Sequence, residues 1–346
     1  MGRLLRYLRF PLLCCAVGLV AVFVSHGGLS PAGLEATWLT LVLLALEISL
    51  SFDNAVVNAR VLEHLTPGQQ RFFLSWGLVI PVFGVRFLGP LLLVSLAGGI
   101  GLRQALDAAL HHPEEYHALL ELAEPRILAF GGMFLLMVFL RYFIDEAKTL
   151  HWVEVLEVRL SRAGRVPSLE VALGLIILMG VAFVLPRSLR SDVLFAGLIG
   201  LVLQILSTSL AEFFGGADPA AGRMAAQSGF SSLIYLELLD ASFSLDGAIG
   251  AFAITKDLAL IITGLGLGAF FIRSLTVMMS REKALDQLIY LEHGAHYAIG
   301  ALGLLMLAGI PLAQHNVHVP EWCAGLIGIG LLAIAFRDSM RQRQRA

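Results

Sequence analysis

Residues 47–58 read E-I-S-L-S-F-D-N-A-V-V-N, from Glu47 to Asn58. The stretch lies inside an apolar segment long enough to cross a bilayer, yet it carries Glu47, Asp53, Asn54 and Asn58. A carboxylate at bilayer depth costs about 2.5–3.5 kcal/mol on insertion scales, so two this close together need a compensating use. The pattern returns near the other end, where residues 240–251 read D-A-S-F-S-L-D-G-A-I-G-A. Aligned, Glu47 falls on Asp240, Ser49 on Ser242, Ser51 on Ser244, Asp53 on Asp246 and Ala55 on Ala248. An acid, two serines and a second acid recur at the same spacing.

Composition places these segments in a membrane. The chain has 346 residues, 58% hydrophobic and 14% charged, against roughly 45–50% and about 25% in an average soluble domain. The mean hydropathy of +0.81 agrees with a polytopic membrane protein. The net charge of −2 supplies no basic stripe for nucleic acid. Cys14, Cys15 and Cys323 all lie in apolar segments, so neither a disulfide framework nor a zinc knuckle is indicated. The start, R-L-L-R-Y-L-R before an apolar run, has the look of a signal peptide. It lacks a clear small-x-small cleavage site, and a retained first helix is expected.

Ten apolar segments, centred on 10–25, 35–60, 72–98, 127–144, 169–185, 192–212, 230–252, 258–279, 295–311 and 321–336, predict an all-α protein of about ten transmembrane helices. With a cytoplasmic N-terminus, the inner segments carry most of the 24 Lys and Arg residues. Both termini are then expected in the cytoplasm of a cell whose inner (plasma) membrane holds the protein. The polar, acidic stretch 101–125 is expected as an outer loop, and the basic stretch 145–167 as an inner, partly helical one.

The likeness between the two halves extends beyond the acids. Gly77 and Arg86 align with Gly264 and Arg273, and F-G-G-M-F-L-L-M (130–137) loosely resembles I-G-A-L-G-L-L-M (299–306). The matched helices are separated by an odd number of crossings, so the halves run in opposite directions. This predicts two inverted-topology three-helix repeats with a site near the midplane. Within a single membrane domain, 1–346, the expected parts are an extra N-terminal helix (1–32), repeat 1 (35–145), a linking helix pair (168–212), repeat 2 (230–311) and a final helix with a basic cytoplasmic tail (321–346).

Glu47, Ser51, Asn54 and Asn58 form one helical stripe, whereas Asp53 lies about 120° away from Glu47 at 3.6 residues per turn. Either the helix presents two polar edges, or it unwinds near Ser49–Phe52 so that both acids face one cavity, as discontinuous helices do at transport sites. Oxygen ligands suit hard divalent cations such as Mn²⁺, Ca²⁺ or Mg²⁺. Glu237 adds an acid one turn before Asp240. Arg86 and Arg273 are candidates to neutralise or gate the carboxylates once the ion leaves. Glu292, His293 and His296 are a weaker metal constellation, with an interfacial polar cluster as the stronger reading. No HExxH motif, nucleophile elbow or phosphate-binding glycine loop occurs, so no enzyme activity is expected.

At L-E-I-S-L-S-F-D-N-A (46–55) and L-D-A-S-F-S-L-D-G-A (239–248) the chain resembles the TerC family of integral membrane proteins, named for tellurium resistance and grouped with LysE-type exporters. The likeness covers about residues 35–310. The extended N-terminus, the 101–125 stretch and R-Y-F-I-D-E-A-K (141–148) look like a subgroup of unknown function. The resemblance implies export of a divalent cation, Mn²⁺ or Ca²⁺, with Glu47, Asp53, Asn54, Asp240 and Asp246 as candidate ligands. Gly247, in place of a second Asn, makes the halves unequal. Ser49, Ser51, Asn58, Ser242 and Ser244 are further candidates. The ion is cargo, and no tightly bound cofactor is expected. The partners expected are the bilayer and the metal ion, with a homo-oligomer compatible. Two other readings are a non-transporting membrane component of a tellurium or metal stress-response complex, and an exporter of a small organic cation.

Overall fold

The computed structural model describes residues 2–63, 68, 70, 88, 91, 92, 95, 100–215, 251, 254, 255, 257–283, 288–315, 317 and 321–345. The regular elements among them are all helices. They are α1 (Gly2–Ser25), α2 (Pro31–Leu50), α3 (Phe52–Glu63), α4 (Leu102–His111), α5 (Pro113–Phe143), α6 (Glu154–Ala163), α7 (Leu169–Val184), α8 (Arg187–Gly215), α9 (Leu258–Arg281), α10 (Leu291–Ala313) and α11 (Glu321–Arg345). Among the described residues, six stretches are long and apolar enough to span a bilayer: Tyr7–Ser25, Pro31–Ile48, Glu114–Phe143, Arg187–Leu206, Leu258–Arg281 and Leu291–Ala313. The protein is therefore an all-helical, membrane-embedded chain. Helix α7, with 16 residues, reaches only about 24 Å at 1.5 Å per residue, short of a hydrocarbon core about 30 Å thick. The apolar segments expected around 72–98 and 230–252 lie largely outside the described residues.

Local chemistry sets several helix starts. Ser30 caps α2 by accepting from Gly33 N at 3.1 Å, with Pro31 next in the chain. Asp257 caps α9 by accepting from Ala259 N and Leu260 N. Pro113 opens α5, and Glu114 and Glu115 fill its first turn, where carboxylates suit the positive end of the helix dipole. This overturns the expectation of a loop over 101–125. The segment is helical, as α4 and the first turns of α5, because its apolar residues fall at helical spacing and are buried: Ala105, Ala108 and Ala109 on α4, and Tyr116, Leu120 and Ala123 on α5. The helix expected over 127–144 thus begins at Pro113. The single helix expected over 35–60 is two, α2 and α3, parted at Ser51.

The chain divides into two compact units, Met1–Glu124 with Ser232–Ala284, and Pro125–Ser231 with Leu285–Ala346. In the first, α9 packs against α1, α2 and α3. Helix α1 runs antiparallel along α9: Phe10 meets the edge of Phe270, and Gly18 faces Leu267. Both ends are pinned, by Tyr7 Oη donating to Glu282 Oε1 at 3.0 Å and by His26 Nε2 at 3.5 Å from Asp257 Oδ2. The opposite face of α1 exposes Leu13, Val17, Val20 and Val24, an outward apolar stripe at helical spacing that suits lipid rather than water.

In the second unit α5 is the central element. Met133, Phe134, Leu135, Leu136 and Met137 are all buried, so the helix is enclosed on every side there. It crosses α10 with the chains running in opposite senses. A Cβ on Gly132 would stand 3.0 Å from Gly303 O, and a Cβ on Gly303 would stand 3.0 Å from Gly132 O. Only glycine allows two backbones to approach this closely.

Candidate functional site

The described part of the acidic site is the seam between α2 and α9. Thr40, Leu43, Leu44 and Glu47 line one face of α2, and Gly264 and Gly268 line the face of α9 that meets it. A Cβ at Gly264 would meet Leu43 Cβ at 2.5 Å and Thr40 O at 3.2 Å; one at Gly268 would meet Glu47 Cγ at 2.5 Å and Leu44 O at 3.2 Å. The small-xxx-small spacing lets the two backbones close on each other. The contacts advance together along both chains, so α2 and α9 run parallel.

Glu47 is 1% exposed. Its neighbour Gly268 lies near the middle of the span Leu258–Arg281, which puts this carboxylate at mid-depth of that span. Ser51 Oγ donates to Glu47 Oε1 at 2.7 Å. Ser51 is also the residue at which the helix is interrupted, with φ −101° and ψ 8°. The backbone bonds Ser51 N to Glu47 O (3.0 Å) and Ala55 N to Ser51 O (3.1 Å) carry across it, so the interruption is confined to one residue. One acid therefore lies on α2 and the second, Asp53, at the start of α3.

Two further polar groups in this unit are buried. Asn58, on α3, is 5% exposed, and its Oδ1 has no hydrogen-bond partner among the described residues. Arg273, five residues past Gly268 on α9, is half-buried, with a buried Nε that also has no partner among the described residues. The backbones of Ser49, Asp53 and Asn54 are helical, but their side chains lie outside the described residues, as do Arg86, Glu237, Asp240, Ser242, Ser244 and Asp246.

The second unit holds a charged centre that sequence reasoning missed. Glu157, on α6, is fully buried. It accepts from Trp152 N at 3.0 Å, Val153 N at 3.1 Å and Tyr297 Oη at 3.2 Å. Around its Oε2 stand His293 Nε2 at 3.4 Å, His151 Nδ1 at 3.7 Å and Lys148 Nζ at 3.8 Å. His293 Nε2 is 3.0 Å from Leu150 O and its Nδ1 is 3.4 Å from Tyr142 Oη. That pattern fits a ring that donates from Nε2 and accepts at Nδ1. Lys148 Nζ sits 3.7 Å from the centroid of Tyr142 and 4.1 Å from that of Phe143, a geometry in which ring faces stabilise the cation. Burial pulls the Lys148 ammonium down to about 8, against the opposing pull of Glu157.

Glu292, His293 and His296 are not gathered as three ligands. His293 turns to Glu157, while His296 stacks on Tyr142 with its Nδ1 donating to Glu292 O at 2.8 Å. Among the described residues no three His, Cys, Asp or Glu side chains are placed to hold a metal ion. The signal that could have found Glu157 is weak: a carboxylate in the amphipathic stretch E-V-L-E-V-R-L, four residues before Ser161, which is also buried.

No curated protein and no solved structure matches the chain. One family model does, over residues 52–346, so that Asp53, Asn54, Asp240 and Asp246 fall within the match and Glu47 just before it. With most of its length so matched, the chain belongs to the family described as protein of unknown function DUF475.

Proposed function

We propose that the chain is a secondary transporter that exports a divalent metal cation, Mn²⁺ or Ca²⁺, through a carboxylate site at mid-depth in the membrane. The observation that carries this reading is Glu47: a buried carboxylate against the middle of a spanning helix, bonded to a serine hydroxyl at a helix interruption. Intramembrane acids of this kind line ion paths, and broken helices supply exchangeable oxygen ligands there. Asp53, Asn54, Asp240 and Asp246 complete the ligand set in this reading, with Ser51 and Asn58 Oδ1 as neighbouring oxygens. Hard, oxygen-preferring cations fit such a set. Arg273 neutralises the carboxylates once the cation has gone.

Two features support the inverted repeat. The acid-serine-serine-acid pattern recurs, and α5 and α10, which carry the matched glycine segments, cross in opposite chain directions. The basic bias of alternate connecting segments supports a multi-pass protein of the plasma (inner) membrane with both termini in the cytoplasm.

The test is ion flux into proteoliposomes holding a metal-sensitive dye, with Mn²⁺, Ca²⁺, Mg²⁺ and Zn²⁺ added in turn. The wild type is expected to carry Mn²⁺ or Ca²⁺, and Glu47→Gln and Asp53→Asn to fall to the protein-free background while keeping their thermal stability. Folded wild-type protein that carries none of the four cations would overturn the reading.

A further inference from the structure

Helix α6 has two unlike faces. Its inner face buries Glu157 and Ser161, and Leu160 packs against the apolar core of the second unit. Ser161 Oγ donates to Asp145 O at 2.9 Å, and just past the helix Gly164 is pressed to the backbone at Ile144 and Glu146. The helix therefore lies across the end of α5, where that span stops at Phe143. The adjoining span α10 starts at this same level, since Tyr142 lies against His293. Trp152 and Tyr290 stack there, and Trp152 Nε1 donates to Asp338 at 3.2 Å. Paired Trp and Tyr at the ends of spans mark the depth of lipid headgroups.

The outer face is apolar and cationic at once. At 100° per residue, Arg162, Val155, Arg159, Ala163 and Leu156 fall within an arc of about 120°. Val155 is 70% exposed and Leu156 45%, and both arginines are exposed. Arg165 is paired with Glu146, but Arg159 and Arg162 have no ion-pair partner among the described residues. The carboxylates of α6 lie elsewhere: Glu157 is buried, and Glu154 falls outside the arc.

We propose that this face of α6 docks onto the headgroups of anionic phospholipids in the membrane that the protein spans. Val155 and Leu156 enter the boundary between headgroups and acyl chains, while Arg159 and Arg162 reach the phosphates with their stems along the apolar surface. A free phosphate would use the two cations but leave the exposed apolar pair without a role. An anionic headgroup carried on acyl chains uses both.

The test uses the full chain in nanodiscs, with Cys14, Cys15 and Cys323 replaced by alanine and an environment-sensitive fluorophore on Leu156→Cys. Quenching by brominated acyl chains and protection from an aqueous quencher are expected. Native mass spectrometry of the detergent-solubilised wild type should retain phosphatidylglycerol over phosphatidylcholine. Arg159→Gln with Arg162→Gln should cut that preference about 30-fold at low salt, from about fivefold per cation near an anionic surface. A label open to the aqueous quencher, or equal retention of both lipids by wild type and variant, would overturn the proposal. So would a label shielded from lipid and water quenchers alike, because a protein would then cover the face.

Discussion

Two buried glutamates, one in each unit, show how differently a chain can hold a carboxylate away from water. Glu157 is bonded by two backbone N–H groups and a phenol, with an ammonium and two imidazoles around it. Those backbone donors cannot rotate away. Glu47 is bonded by the hydroxyl of Ser51, a donor that turns about one bond. It rests on glycine at the middle of a spanning helix and shares its unit with a buried guanidinium nitrogen and an amide oxygen that have no partner among the described residues. A carboxylate fixed by the backbone belongs to architecture. In the transport we propose, one that accepts from a rotatable hydroxyl exchanges that bond for the cation.

The sharpest way to break this contrast is to remove each acid. Glu157→Ala leaves Lys148 buried without its counter-charge, and uncompensated buried charges of this kind cost about 3–5 kcal/mol. Unfolding of the purified variant should show that loss, whereas Glu47→Gln should leave stability nearly unchanged and lose flux. Equal stability losses would dissolve the distinction. Next in size is Gly268→Ala, whose Cβ would stand 2.5 Å from Glu47 Cγ. Overpacking of this kind costs about 1–3 kcal/mol, and here it should also lower flux by displacing the acid; unchanged flux would place the cation path elsewhere.

A finer test uses pH. Lys148 titrates near 8 in the folded chain, below its ordinary value of 10.5. Between those values the unfolded chain still holds a proton that the folded chain has released, so stability rises with pH across this window. The slope is at most about 1.4 kcal/mol per pH unit. Below pH 8 both states are protonated and the cost of burying the ammonium is complete. Thermal melts from pH 7.5 to 10.5 should show the rise, and Lys148→Met should flatten it. At the bottom of the scale, a Cβ on Gly180 would meet nothing within 4 Å. Gly180→Ala should then shift stability by no more than its helix propensity, about 1 kcal/mol in the stabilising direction, and leave flux unaltered.

The acid-bearing helix was legible because a bilayer makes buried charge conspicuous: two carboxylates in an apolar run stand out, and the interruption lies at Ser51, inside the stretch Ser49–Phe52 named in one of the two alternatives the sequence left open. The helices over 102–111 and from Pro113 were not legible. Hydropathy averages over a window, whereas these turns bury only a narrow stripe, Ala105, Ala108 and Ala109 and then Tyr116, Leu120 and Ala123, among many polar residues. Glu157 was hidden for a different reason. Its burial depends on α10, which brings His293 and Tyr297 from far along the chain, and nothing near 157 announces that meeting. His293 itself was singled out together with Glu292 and His296, and it shares Tyr142 with His296, but its carboxylate partner Glu157 is distant in sequence and close only in space.

The two polar contacts that tie α1 to α9 act as a gauge. Tyr7–Glu282 and His26–Asp257 fix where α9 stands along its length. A shift of one residue, about 1.5 Å, would pull both apart, and between them Leu267 is seated on Gly18 while Leu43 and Glu47 are seated on Gly264 and Gly268. Travel of α9 along α1 is thus the displacement these two contacts oppose, and they hold Arg273 at a fixed level against α1.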